Sequence, residues 1–257
     1  MTATKLSRIA LLLLIVGGAV GCRKQRNKDE PSGAVPAGSS SAAVVIAAKG
    51  DTGIVEGYVT MEGDPAAIQP NLLTRIPKDC TEALKVYELI FREGPARRVA
   101  DVFVGVTGYQ GTPGEKRGPV SVVANGCAWN KRTFGLTTQQ HLSVRSTDNH
   151  PYVPALYGTK VGAALVAVPG GDAVPVYTKG PGMYLLVDEM RNFTQATVLV
   201  VKFPTFDVTG LDGKFRIEGV PVGSADISAY LPTVNLKAEQ KITVTKNSTT
   251  RVNLTLR

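Results

Sequence analysis

Five residues of this 257-residue chain carry the side chains best suited to metal binding or covalent chemistry. They are three cysteines and two histidines, namely Cys22, Cys80, Cys127, His141 and His150. A cysteine can carry a lipid, form a disulfide or bind a metal, whereas a histidine can bind a metal or transfer a proton. Which of these occurs depends on the compartment in which the chain folds and on the elements that hold each residue.

Cys22 ends an N-terminal segment with the features of a secretory signal. Lys5 and Arg8 precede the apolar run 9–16, which is too short to cross the ~30 Å hydrocarbon core of a membrane. Small residues then lead to Cys22. The sequence therefore predicts a signal peptide over residues 1–21 and export to an oxidising compartment.

Residues 19–22, Ala-Val-Gly-Cys, resemble the lipobox of bacterial lipoproteins. The resemblance implies that Cys22 becomes the lipidated first residue of the mature chain and attaches a folded domain to a membrane face. An ordinary cleaved signal peptide is the alternative. Because Arg23 and not Asp follows the cysteine, the resemblance favours the outer membrane, with the protein facing the periplasm or the cell surface.

Residues 22–50 have the composition of a tether. Basic residues cluster directly after Cys22, and Ser, Ala, Gly and Pro dominate from Pro31 to Gly50, which is typical of a disordered linker. The rest of the chain carries 22 Lys and Arg against 19 Asp and Glu. Because nucleic-acid binding requires positive charge spread over a folded face, we do not expect nucleic acid as a partner of this nearly neutral body.

Cys80 and Cys127 remain as an even pair in an exported body. This count favours a disulfide between them. Two free thiols or a metal-binding pair are the alternatives.

Short strands are the elements that position these residues. The chain has 27 Gly and 16 Pro, a frequency that favours many turns over long helices. Windows of alternating hydrophobicity recur between residues 54 and 256, whereas helical periodicity is confined to residues 81–91. The end of that segment, residues 86–91, could equally form a strand. The sequence predicts an all-β protein built of Greek-key sandwiches.

Both ends of the strand-rich region resemble one family. Residues 212–217, Asp-Gly-Lys-Phe-Arg-Ile, and the Pro-Val-Gly that follows at 221–223 resemble a hallmark of carboxypeptidase regulatory-like, transthyretin-like sandwiches. Residues 53–59, Gly-Ile-Val-Glu-Gly-Tyr-Val, resemble that family's opening strand. The resemblance implies one sandwich built from residues 51–110 and 204–257, interrupted by an insert over residues 111–203.

The insert resembles a plastocyanin-like cupredoxin domain. Residues 142–148 resemble the strand and turn before the first copper-ligating histidine, and residues 184–193 resemble the strand and loop that carry Cys, His and Met. At the four ligand positions this chain has Tyr152, Val187, Met190 and Phe193. A blue-copper site needs a thiolate and two imidazoles with a weak axial ligand. We therefore expect no copper and no other cofactor.

Two residues remain as candidates for a remnant of a metal site. His150 lies two residues from the expected histidine position, and Met190 could supply a thioether. One imidazole and one thioether bind Cu(II) poorly. The resemblance also places a cysteine in each of the segments that hold Cys80 and Cys127, which supports the disulfide.

A non-catalytic, lipid-anchored binding or structural module of the cell envelope is the function that remains. The chain has no H-E-x-x-H zinc motif and no Walker-type phosphate loop, and Ser143, Asp148 and His150 are too close in sequence to converge as a triad. The expected partners are the membrane, through the lipid anchor, and an envelope protein or a glycan. The alternatives are an atypical cupredoxin-like electron carrier and a carbohydrate-binding sandwich with Trp129 and Tyr152 as contact aromatics.

Overall fold

The computed structural model describes residues 44–46, 50–158 and 165–257. Over these ranges the chain forms strands with only short helices, so the predicted all-β class is confirmed. The predicted signal peptide 1–21 and Cys22 lie outside the described residues, as does most of the predicted linker 22–50. Within that linker, Val44–Ile46 forms a strand. No helix in the described part of the chain is long and apolar enough to cross a membrane.

The elements of the described chain are numbered in sequence order. The helices are α1 (Pro70–Leu73) and α2 (Thr81–Tyr87), followed by a 3₁₀ turn at Pro95–Arg97. The strands are β1 (Val44–Ile46), β2 (Thr52–Met61), β3 (Phe103–Thr107), β4 (Glu115–Asn125), β5 (Ala128–Trp129), β6 (Thr133–Thr137), β7 (Gln140–Ser146), β8 (Pro154–Tyr157), β9 (Val174–Val176), β10 (Gly182–Asp188), β11 (Arg191–Val201), β12 (Phe206–Val208), β13 (Lys214–Pro221), β14 (Gly223–Leu231), β15 (Leu236–Val244), β16 (Thr249–Arg251) and β17 (Leu254–Leu256).

The first sandwich combines strands from both ends of the described chain. One sheet has the order β12-β3-β14-β15, and the other has the order β13-β2-β16, with β17 also paired to β2. In β13 the side chains of Phe215 and Ile217 are buried, whereas Lys214 and Arg216 are exposed. This alternation follows from the two-residue period of a strand. The buried faces of both sheets form one apolar core, which includes Val55, Val104, Ile227 and Leu256.

Gly57 allows the parallel strands β16 and β17 to run side by side with β2. The residues of β16 pair with Ile54 to Glu56, and those of β17 pair with Val59 to Met61. A Cβ atom at Gly57 would lie 1.7 Å from the carbonyl oxygen of Val252, which joins the two short strands. The close approach therefore requires glycine.

The second sandwich is built from strands in the middle of the chain. Its sheets have the orders β1-β4-β7-β9, with β5 on β4, and β6-β11-β10-β8. Their facing sides bury a second apolar core of Trp129, Phe134, Leu136, Leu142, Tyr152, Leu156, Leu186 and Val198, among others. The core is held between the sheets because alternate side chains of each strand point inward.

The helical segment between β2 and β3 packs against the second sandwich. Its buried side chains Ile76, Ala83 and Tyr87 form a small cluster with Ala128 and Phe193. The predicted disulfide Cys80–Cys127 is present, with the Cα atoms 5.3 Å apart. It joins the residue before α2 to the turn between β4 and β5. The helix predicted over residues 81–91 ends at Tyr87, and Leu89 instead forms an isolated bridge with Ile68.

Aromatic rings fill part of the junction between the two sandwiches. Phe103 and Phe206 stack with ring centroids 5.1 Å apart, and Phe203 packs edge-on against both. A Cβ atom at Gly135 of β6 would lie 2.6 Å from the Phe206 ring. The ammonium of Lys116 lies 4.1 Å from the centroid of the same ring and donates to the Phe206 carbonyl. Because Gly135 has no side chain, β6 of the second sandwich can lie close to the Phe206 ring of the first sandwich.

Candidate functional site

The residues at the four predicted ligand positions lie in different environments. Tyr152 and Val187 are fully buried and Phe193 is nearly so, whereas Met190 is 57% exposed. Val187 pairs with Ala155 in the β8-β10 ladder and offers no donor atom. In the described part of the chain, no group of three or more His, Cys, Asp or Glu side chains is placed to hold a metal ion.

The Asp148 carboxylate is the centre of a hydrogen-bond network at this end of the second sandwich. Its Oδ2 accepts from the Tyr152 hydroxyl at 2.6 Å and from the backbone N–H of Gly126. Its Oδ1 accepts from the backbone N–H of His150 at 2.8 Å and from the Ser146 hydroxyl at 3.2 Å. The carboxylate therefore fixes the conformation of the loop from residue 146 to residue 152 and ties it to the turn after β4.

Tyr152 connects this loop to the disulfide. Its hydroxyl accepts from the backbone N–H of Cys127 at 2.9 Å while it donates to Asp148. Its ring packs against Trp129, with the centroids 5.6 Å apart. Burial and the neighbouring Asp148 carboxylate raise the pKa of Tyr152 well above its usual range. The phenol therefore stays protonated and serves as a fixed hydrogen-bond donor.

A second carboxylate, Asp188, holds the turn between β10 and β11. Its side chain is fully buried, and its Oδ1 accepts from the backbone N–H groups of Val153 at 2.8 Å and Met190 at 3.3 Å. Arg191 donates to Asp188 Oδ2 at 2.9 Å and to the Pro151 carbonyl at 3.0 Å. This buried ion pair has the additional hydrogen bonds that such a pair needs to be tolerated.

Arg191 brings the two carboxylate centres together. Its guanidinium carbon lies 5.0 Å from the centroid of the Tyr152 ring, which is within the distance of a cation–π interaction. We call Asp148, Tyr152, Asp188 and Arg191 the loop cluster. Each of the four carboxylate oxygens in the loop cluster already accepts at least one hydrogen bond. The cluster therefore fixes the loop after β7 and the turn between β10 and β11.

His150 and Met190, the remnant metal candidates, are attached to different carboxylates. The His150 Nδ1 atom lies 3.5 Å from Asp148 Oδ2, and its side chain is 38% exposed. Met190 is held through its backbone N–H by Asp188. The other histidine, His141, stacks on the exposed Tyr177 ring, with the centroids 4.8 Å apart.

The suggestion of Trp129 and Tyr152 as ligand-contact aromatics is wrong. Both side chains are 0% exposed because they fill the core of the second sandwich. The role of Arg191 could not be recognised from the sequence. Asp148, by contrast, could have been recognised because it lies in the turn predicted after a strand. In such turns an aspartate side chain commonly accepts a hydrogen bond from the backbone N–H two residues further on.

The comparisons with known proteins add little to this geometry. No family model matches the chain, and no curated protein matches it. Among solved structures, a reduced mutant of amicyanin is 14% identical and aligns over 32% of this chain and 82% of its own, with a TM-score of 0.29. A Cu(I) mutant of amicyanin has the same identity and coverage, with a TM-score of 0.28. At these values the similarity carries no functional conclusion.

The hydrogen bonds of the loop cluster predict a pH-dependent stability. Burial raises the pKa of Asp148, but the bonds from Tyr152, His150, Gly126 and Ser146 outweigh it and hold the pKa below its usual value. A carboxyl whose pKa is lowered by folding stabilises the protein above the unfolded pKa of 3.8 and loses this contribution as the pH falls through the folded pKa. We expect Asp148→Asn to remove this part of the acid dependence of the free energy of unfolding.

Urea unfolding at a series of pH values measures this effect. Wild-type protein should lose stability more steeply than Asp148→Asn as the pH falls below 3.8. Asp172→Asn, at an exposed aspartate, is the matched control and should follow the wild type. Equal slopes for wild type and Asp148→Asn would contradict the role given to this carboxylate.

Proposed function

We propose that this protein is a non-catalytic, lipid-anchored binding module of the bacterial cell envelope whose second sandwich works without copper. The observation that carries the proposal is the loop cluster. Where the cupredoxin resemblance places the first copper-ligating histidine, the Tyr152 hydroxyl is bonded to Asp148 and to the Cys127 N–H. A side chain held in this way fixes the loop that a metal would otherwise hold.

The cysteines of the described chain support the same proposal, because both are held in a disulfide. The intense colour and the redox behaviour of a blue-copper site depend on a cysteine thiolate. In the described chain Cys80 and Cys127 are joined to each other, and Val187 stands at the expected thiolate position. Cys22 lies outside the described residues and is the proposed site of lipidation.

The proposed domain organisation follows the two apolar cores. Residues of β2, β3, β13, β14, β15 and β17 share the first core, which suits a carboxypeptidase regulatory-like sandwich over 51–110 and 204–257. Residues of β4 to β11 share the second core, which suits a cupredoxin-like insert over 111–203. The helical segment within 51–110 packs on the insert, so the two parts would act as one body.

The first test of the proposal is copper loading of the purified full-length protein. We expect no stoichiometric copper by elemental analysis, no intense visible band on titration with Cu(II) and no redox wave. Titration with Cu(I) belongs to the same experiment because a thioether and an imidazole both suit a soft ion. Weak Cu(I) binding, if it occurs, should disappear in Met190→Leu.

An electron carrier is the function that the opposite result would support. An intense charge-transfer band that is lost in Cys80→Ser or Cys127→Ser would require a thiolate ligand. That result would contradict both the disulfide and the copper-free module.

The second test concerns the anchor. Lipidation of Cys22 would hold the mature protein at a membrane, so Cys22→Ser should shift the protein from the detergent phase to the aqueous phase on Triton X-114 partitioning. Wild-type protein treated in parallel is the control. Membrane association that is unchanged in Cys22→Ser would contradict the lipid anchor while leaving the proposal for the second sandwich intact.

A further inference from the structure

A groove lies where the helical segment and both sandwiches meet. Strands β10 and β11 contribute Leu185 and Thr197, the helical segment contributes Leu72 and Ile90, and the turn between β14 and β15 contributes Thr233. Its volume is 570 Å³. Small-molecule sites have volumes of about 300–1,000 Å³ and often lie at domain interfaces. The groove therefore has the size and the position of a ligand site.

All charged side chains that line the groove are cationic. They are Arg75, on the chain after α1, and Arg132, before β6. Within the described residues neither arginine forms an ion pair. Arg75 donates to the Asn192 side chain at 3.1 Å, and Arg132 donates to the Leu89 carbonyl at 2.8 Å. Each guanidinium has five N–H donors, so both retain capacity for a ligand.

The carboxylate beside Arg132 forms its side-chain hydrogen bonds with another arginine. Asp101 accepts two hydrogen bonds from Arg92, at 2.6 and 2.7 Å, and a third from the backbone N–H of Arg132. Its ion pair is thus with Arg92, although its charge also favours the charged form of the Arg132 guanidinium and counteracts the lowering of its pKa. Burial nevertheless outweighs this attraction and lowers the pKa of Arg132, and an anionic ligand in the groove would offset the cost of burying the charge.

The rest of the lining combines uncharged polar side chains, among them Gln69, Asn71 and Gln195, with apolar ones that could contact an apolar chain. Leu72, Ile90, Leu185 and Phe193 line the groove together with the aromatic ring of Tyr87. The Thr233 hydroxyl is buried and has no hydrogen-bond partner among the described residues. The lining thus combines apolar contacts with cationic donors.

We propose that this groove binds a small anionic molecule with an apolar portion, whose carboxylate or phosphate is held by Arg75 and Arg132. A guanidinium fits both anions because its planar fork can form two parallel hydrogen bonds to either. The inference rests on the proposed binding function and gives it a ligand class.

Calorimetric titration of the full-length protein in phosphatidylcholine nanodiscs tests the inference. The probes are hexanoate and hexyl phosphate, which share the apolar chain and differ in the anion, and hexanol is the uncharged control. Empty nanodiscs give the background. At least one anionic probe should bind saturably with one site per chain, and hexanol should bind at least about tenfold more weakly, as expected for loss of a hydrogen bond to a charged group. The probe that binds with higher affinity shows whether the natural ligand carries a carboxylate or a phosphate.

Arginine variants locate the site. Arg75→Gln should weaken the tighter probe by about tenfold, and this exposed residue can be replaced without disturbing a core. Arg132→Gln should also lower the affinity for the probe. If Arg132→Gln does not fold, the result for Arg75→Gln decides the test. Arg145→Gln, at an exposed arginine of β7 that does not line the groove, is the matched control and should bind as the wild type does.

Three results would overturn the inference: absence of saturable binding, equal binding of hexanol, or unchanged affinity in Arg75→Gln. Failure here is distinguishable from failure of the proposed function. The copper content of the same samples is measured in parallel, and stoichiometric copper would overturn the copper-free module whatever the probes show. If copper-free protein binds no probe, only the proposal of a ligand in the groove is overturned.

Discussion

The hydrogen bond between the Tyr152 hydroxyl and the Asp148 carboxylate is the interaction on which this end of the second sandwich depends. At 2.6 Å it joins a core side chain to the carboxylate that organises the loop from residue 146 to residue 152. The same hydroxyl accepts from the N–H of Cys127, so the disulfide turn and the loop share one anchor. Because all three groups are largely buried, loss of one partner would leave the others unsatisfied.

Buried carboxylates order the loops at this end of the second sandwich. Such loops carry backbone N–H groups that must be paired, and a carboxylate can accept several of their hydrogen bonds at once. Here the Asp148 and Asp188 carboxylates accept hydrogen bonds from four loop N–H groups, those of Gly126, His150, Val153 and Met190. Arg191 supplies the positive charge that balances Asp188. These polar contacts hold the loops in place, and strands β10 and β11 of the same sandwich form one wall of the groove beside the helical segment.

Strands with regular alternation could be predicted from the sequence, and the short strands β6, β8 and β9 could not. The alternating Phe215 and Ile217 gave β13 and its buried face, whereas β6, β8 and β9 contain Gly135, Pro154 and Pro175, which are poor strand signals. The cysteine count favoured the disulfide and the family resemblance supported it, whereas the structure was needed to exclude two free thiols or a metal pair. The groove could not be predicted because Arg75, Arg132 and Thr233 come together only after both sandwiches and the helical segment have packed.

A double-mutant cycle between positions 148 and 152 tests the central claim most directly. The cycle compares the free energies of unfolding of four proteins in buffer that contains a copper chelator: wild type, Asp148→Asn, Tyr152→Phe and the double variant. The departure of the two substitutions from additivity gives the coupling energy. A hydrogen-bonded pair that holds the loop without metal predicts a favourable coupling within the usual range of about 0.5–3 kcal/mol for residues in contact. Additive effects of the two substitutions would contradict the account.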